Sequence, residues 1–109
     1  MTFTGIVRGV DRLGRIVLPK KMRIAMGISG LTDPIEIFVS EGGIVLKKAN
    51  MQEGVSGEIR CLDKFGRIVI PKEMRNLYNL EKEVELVVTK EGLLIRNPEY
   101  RLVKKQNKK

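Results

Sequence analysis

The chain has no histidine and no tryptophan, one cysteine, and only two tyrosines and three phenylalanines. Each shortage removes a class of function. Without histidine there is no Cys–His or Ser–His pair for nucleophilic catalysis, and a lone cysteine gives no zinc-ligand spacing. The expectation is a protein that is not an enzyme, holds no metal or other cofactor and takes no small-molecule substrate. Cys61 cannot form an internal disulfide, which suits a cytoplasmic compartment, and it reads as a small buried hydrophobe. So few aromatics leave little for a platform on which single-stranded bases stack. No apolar run approaches the roughly 20 residues that cross a bilayer. The opening "MTFTGIVRGV" lacks the apolar core of a signal peptide, so no membrane partner is expected.

What is present is a phrase written twice. "DRLGRIVLPKKMR" spans Asp11 to Arg23, and "DKFGRIVIPKEMR" spans Asp63 to Arg75. At an offset of 52, Gly5–Ile28 and Gly57–Leu80 share 11 identities in 24 positions. At an offset of 49, Ile35–Lys47 and Val84–Arg96 share 3 in 13. The change of offset falls where "SGLTDP" is replaced by "EKE", a place where a surface loop tolerates insertion. The reading is a first repeat over 1–50, a second over 51–100, with a linker near 48–56, and a basic flexible tail over 101–109.

The two copies clarify each other. "GIVRGV" and "GEIRCL" read as strands. Their alternation predicts Val7, Gly9, Ile59 and Cys61 on the buried face, with Arg8, Arg60 and Leu62 outward. Asp-x-x-Gly then reads as a turn, with Asp bonding the backbone ahead and Gly taking positive φ. "RIVL" and "RIVI" are short β-branched strands. Pro19 and Pro71 end them and suit a helix start. The helices end at Gly27 and Asn79, residues tolerant of left-handed angles. Met22/Met74, Ala25/Leu77 and Met26/Tyr78 form the predicted buried stripe. A hairpin closes each copy, so the pattern is ββαββ and the fold class mostly β with short helices.

Charge is unevenly spread. The net +8 divides into +4 for 1–50, −1 for 51–100 and +5 for the tail. Three arginines recur in place: Arg8 with Arg60, Arg15 with Arg67, Arg23 with Arg75. If Asp11–Gly14 closes a hairpin, Val10 opposes Arg15 and Arg8 opposes Val17. Arg8 and Arg15 are then diagonal neighbours, with Glu58 the one carboxylate expected on that face in either copy. Paired guanidiniums without an internal counter-ion point to an external anion. Arg12 and Lys64 at the turn tips add charge.

These residues, "GIVRGVDRLGRIVLPKKMR" followed by "IEIFVSEGGIVLKK", resemble the DNA-binding domain of AbrB-type transition-state regulators (the SpoVT/AbrB-like class). The resemblance covers about Thr4 to Lys48, and the second copy repeats it. It implies a swapped-hairpin barrel built from the two repeats, closed within one chain or by a homodimer. It also implies DNA contacts from Arg8, Arg15 and Arg23, and by repetition from Arg60, Arg67 and Arg75. Many relatives carry a second basic residue after the position of Arg23, where this chain has Ile24 and Asn76. The expected function is a duplex-DNA-binding transcriptional regulator that reads backbone and shape. The alternative is a protein-interaction module or an antitoxin of the MazE type.

Overall fold

The computed structural model describes residues 5–54 and 57–99. The tail lies outside the described residues. The first repeat forms β1 (Ile6–Gly9), β2 (Arg15–Val17), α1 (Lys20–Ala25), β3 (Ile35–Ser40) and β4 (Gly43–Lys48). The second forms β5 (Glu58–Arg60), β6 (Arg67–Val69), α2 (Lys72–Tyr78), β7 (Glu83–Val88) and β8 (Leu93–Arg96). Both copies are therefore ββαββ, as their shared pattern predicts.

The strands are exchanged between repeats. A six-stranded antiparallel sheet has the order β1-β7-β8-β4-β3-β5, and a separate ribbon joins β2 to β6. Swapping each element for its counterpart reverses the sheet order onto itself, so an approximate two-fold axis passes between β8 and β4. The same axis passes through the ribbon, where Ile16 opposes Ile68. The expected β1–β2 hairpin ladder does not form. β1 pairs with β7, setting Arg8 opposite Val84, and β5 pairs with β3, setting Arg60 opposite Ile35. Arg8 and Arg15 thus lie in separate sheets and are not ladder neighbours. The reason is burial: β1 and β2 back to back would enclose no core, whereas crossing to the other repeat lets both cover it.

One core results. Ile16, Leu18, Ile35, Ile37, Ile44 and Leu46 from the first repeat are fully buried with Ile68, Ile70, Leu80, Leu86, Leu93 and Ile95 from the second. Side chains of such size gain about 1.5–3 kcal/mol each on burial, and neither repeat holds that set alone. The facing of the first strand in each copy differs from the alternation reading. Ile6 and Val10 pack on the core, while Val7 is 47% exposed. Leu62 is buried and Cys61 is exposed, its Sγ 3.6 Å from the Thr32 carbonyl. Alternation establishes two faces but not which is covered; pairing to β7 and β3 decides that.

Two buried carboxylates secure the exchange. Glu36 in β3 accepts a hydrogen bond from the Gly57 N–H at 3.0 Å, at the entrance to β5. Its counterpart Glu85 in β7 lies against Gly5 at the entrance to β1 and accepts from Arg96 Nε at 3.0 Å. A carboxylate buried to this degree requires such partners.

The helix ends follow the local code. Gly27 and Asn79 take φ of 79° and 58°. The buried stripe is narrower than the spacing suggests. Met22 is buried and Met26, Met74 and Tyr78 pack on the core, but Ala25 is exposed and Leu77 is 63% exposed. In both helices the covered line runs i, i+4, and the i+3 position turns to solvent.

Candidate nucleic-acid interface

Each Asp-x-x-Gly turn is bound by its own aspartate. Asp11 Oδ1 accepts the N–H groups of Leu13 at 2.9 Å and Arg15 at 2.8 Å, and Oδ2 takes Arg15 Nε at 2.6 Å. Asp63 repeats this with Phe65 and Arg67 at 2.9 Å and Arg67 Nε at 2.7 Å. The backbone closes each loop, with Gly14 N–H to the Asp11 carbonyl at 2.9 Å and Gly66 N–H to Asp63 at 3.0 Å. Both carboxyls are consequently held below the usual 3.8. For Asp11 the Arg15 backbone N–H is the largest cause. For Asp63 desolvation is the largest influence and pushes upward, but the bonds from Arg67 and Phe65 and the Arg67 charge together outweigh it. Asp11 and Asp63 are therefore the counter-ions of Arg15 and Arg67, a correction to the expectation that these arginines have no internal counter-ion. Glu58 instead pairs with Arg60 at 2.8 Å. The signal was in the sequence: an acid four positions before an arginine, with a tight turn between.

Nε is committed to the aspartate, while each guanidinium remains partly exposed. On the outer face of the ribbon Arg15 opposes Val69 and Arg67 opposes Val17. The two arginines therefore stand at diagonal corners of a two-fold patch with two valines. The ribbon continues into the turns, since Leu18 N–H donates to the Gly66 carbonyl and Ile70 N–H to that of Gly14, both at 2.9 Å.

The helix arginines cross between repeats. Arg75 Nε donates to the Ile70 carbonyl at 2.9 Å, and its guanidinium lies over Gly14, where an added Cβ would stand 2.5 Å from Cζ. Arg23 lies over Gly66 more loosely, with the corresponding separation 3.6 Å. Each corner is thus composite: Arg12, Arg15 and Arg75 at one, Lys64, Arg67 and Arg23 at the other. Arg12 and Lys64 are exposed at the tips. Arg8 and Arg60 are not gathered into these corners; they sit on the outermost strands of the six-stranded sheet, with Arg8 Nη1 donating to the Val7 carbonyl at 3.1 Å. This cross-repeat placement of Arg23 and Arg75 has no signal in sequence spacing.

The corners also hold two apolar residues that sequence reasoning passed over. Leu13 and Phe65 are 64% and 63% exposed at equivalent turn positions. The Phe65 ring lies 5.3 Å from Lys64 Nζ and 4.8 Å from the Arg67 guanidinium. Among the described residues no group of three or more acid, cysteine or histidine side chains is placed to hold a metal, and no helix is long and apolar enough to cross a membrane.

A family model described as antidote-toxin recognition MazE, bacterial antitoxin, matches the chain twice, over residues 7–53 and 59–105. The chain is 48% identical over 79 residues to the transition state regulatory protein AbrB of Bacillus subtilis, covering 67% of this chain and 80% of that protein. It is 51% identical over 49 residues to stage V sporulation protein T of the same organism, a match covering 44% of this chain but only 27% of that protein. The putative transition state regulator Abh, also from Bacillus subtilis, is 50% identical over 48 residues, with 44% of this chain and 51% of that protein covered.

Proposed function

The chain belongs to the family of MazE-type antitoxin domains and AbrB-type transition-state regulators, and from that premise we propose that it is a duplex-DNA-binding transcriptional regulator. Arg8, Arg12, Arg15 and Arg23 act from the first repeat, and Arg60, Lys64, Arg67 and Arg75 from the second. The observation that carries the reading is the ribbon. Arg15 and Arg67 stand at its two-fold corners, each oriented by a turn aspartate. Such a pair matches the approximate two-fold symmetry of duplex DNA. A two-stranded antiparallel ribbon fits the major groove, where guanidiniums reach phosphates and base edges. The relatives named transition state regulators support a regulatory role.

In this reading the repeats, 1–50 and 51–100, act as one unit closed within a single chain, supported by the β1–β7, β3–β5 and β2–β6 pairings. The basic tail, 101–109, adds sequence-independent attraction to phosphate. A second reading, a MazE-type antitoxin with a protein partner, is favoured by the description of the matching family model.

The test is affinity for an unrelated set of duplexes across a salt series. Each phosphate contact contributes about −0.9 to the slope of log affinity against log salt, so the slope should be several units steep. Arg15→Ala and Arg67→Ala should each weaken binding, since each removes one corner of the ribbon. Deleting 101–109 should flatten the slope and leave preferences among duplexes intact. If both arginine variants bind like wild type while the truncation abolishes binding, the ribbon is not the site and the protein-partner reading takes its place.

A further inference from the structure

Phe65 is a large apolar ring left 63% exposed in a protein with only three phenylalanines. The turn does not require it. What the turn uses at this position is the backbone N–H, donated to Asp63 Oδ1 at 2.9 Å; the left-handed angle is taken by Gly66. A polar side chain would satisfy the same geometry without exposing apolar surface. The equivalent position holds Leu13, exposed to the same degree, so both copies carry an apolar tip there.

The surroundings select what could cover the ring. Lys64 and Arg67 flank it within cation–π distance. An apolar protein surface closing over Phe65 would desolvate both cations without giving them a partner, which is strongly unfavourable. A polyanion removes that cost, because phosphates receive the cations while the ring meets the groove. In the major groove the apolar feature on the base edges is the C5-methyl of thymine.

We propose, resting on the DNA-binding reading above, that Phe65 is a base-reading contact that recognises a thymine methyl group at one end of the DNA site, with Leu13 making a weaker contact at the other end. The ring is the broader and more rigid of the two surfaces. The site is therefore directional although the arginines are two-fold related. A homodimer of identical tips would read both ends alike; a chain with Phe65 at one and Leu13 at the other does not.

The experiment compares one A·T-rich duplex with the same duplex carrying deoxyuridine in place of every thymidine, which removes the methyl and keeps the pairing edge. Full-length wild type, Phe65→Ala, Phe65→Leu, Leu13→Ala and Arg67→Ala are titrated with each at two salt concentrations. Wild type should lose about fourfold in affinity per contacted methyl, the factor that corresponds to about 0.8 kcal/mol for one buried carbon. Phe65→Ala should bind both duplexes nearly equally with an unchanged salt slope, Phe65→Leu should retain part of the difference, and Leu13→Ala most of it. Arg67→Ala should weaken both duplexes alike and keep the ratio. Equal binding of the two duplexes by wild type overturns the proposal. So does a thymine preference that survives intact in Phe65→Ala, since it then belongs to DNA shape. If wild type binds neither duplex, the DNA-binding reading itself fails.

Discussion

Asp11 and Asp63 show how one side chain sets both a conformation and a functional group. Each carboxylate ties two backbone N–H groups and one guanidinium, so the loop and its arginine are placed together. Their lowered pKa values make this a pH-dependent contribution. A carboxyl held below its unfolded value stabilises fully above that value, near 3.8, and the contribution is lost as pH falls through the folded value. Asp33, lowered first by the Ser29 N–H, acts in the same window. Melting temperature followed by circular dichroism should be flat from neutral pH to about 5 and fall below about 4. The Asp11→Asn, Asp63→Asn double variant should melt lower at neutral pH and lose less on acidification. An acid-induced fall as steep as that of wild type would assign the effect to other groups.

At the scale of the element, the turns and helices are coupled across repeats. Gly14 and Gly66 have almost the same φ, 80° and 78°, so alanine at either is strained by about 1–2 kcal/mol. Their surroundings differ. A Cβ at Gly14 would meet Arg75 at 2.5 Å and displace it, whereas at Gly66 the Arg23 Cζ lies at an ordinary 3.6 Å. Both substitutions should therefore lower stability in urea denaturation by about 1–2 kcal/mol. Gly14→Ala should additionally weaken DNA binding by moving Arg75 from its corner, while Gly66→Ala should leave affinity close to wild type. Equal affinities for the two variants would show that the position of Arg75 over Gly14 does not matter to binding. The shared positive φ explains why the turn glycine recurs in both copies.

At the scale of the molecule, the two repeats share one core and one set of sheets. Among the described residues, β1 and β5 are edge strands whose only ladder partners come from the other repeat. Half of the chain, at about 50 residues, lies below the size at which a core of its own is adequate. Fragments 1–50 and 51–109 expressed separately should each lack stable β structure as monomers, and mixing them should restore it. The intact chain should sediment at low concentration near 12.4 kDa. A fragment that folds cooperatively as a monomer would contradict the shared core. With both copies in one chain they need not be identical: Lys21 corresponds to Glu73 and Leu13 to Phe65, with the exchanged strands intact.

How much was legible follows from the range of the forces involved. The repeat, the Asp-x-x-Gly turns, the left-handed Gly27 and Asn79 and the closing hairpins depend on interactions within a few residues, so the sequence alone determined them. Two further facts depended on partners dozens of residues away. Which face of β1 and β5 is buried was decided by pairing with β7 and β3, so Leu62 went inward and Cys61 outward. Which turn each helix arginine covers was decided by the exchange, which sets Arg75 over Gly14 and Arg23 over Gly66. Period-two alternation allows either face, and a long side chain reaches several neighbours. Only the burial of one continuous core, with every strand assigned a partner, selects among them.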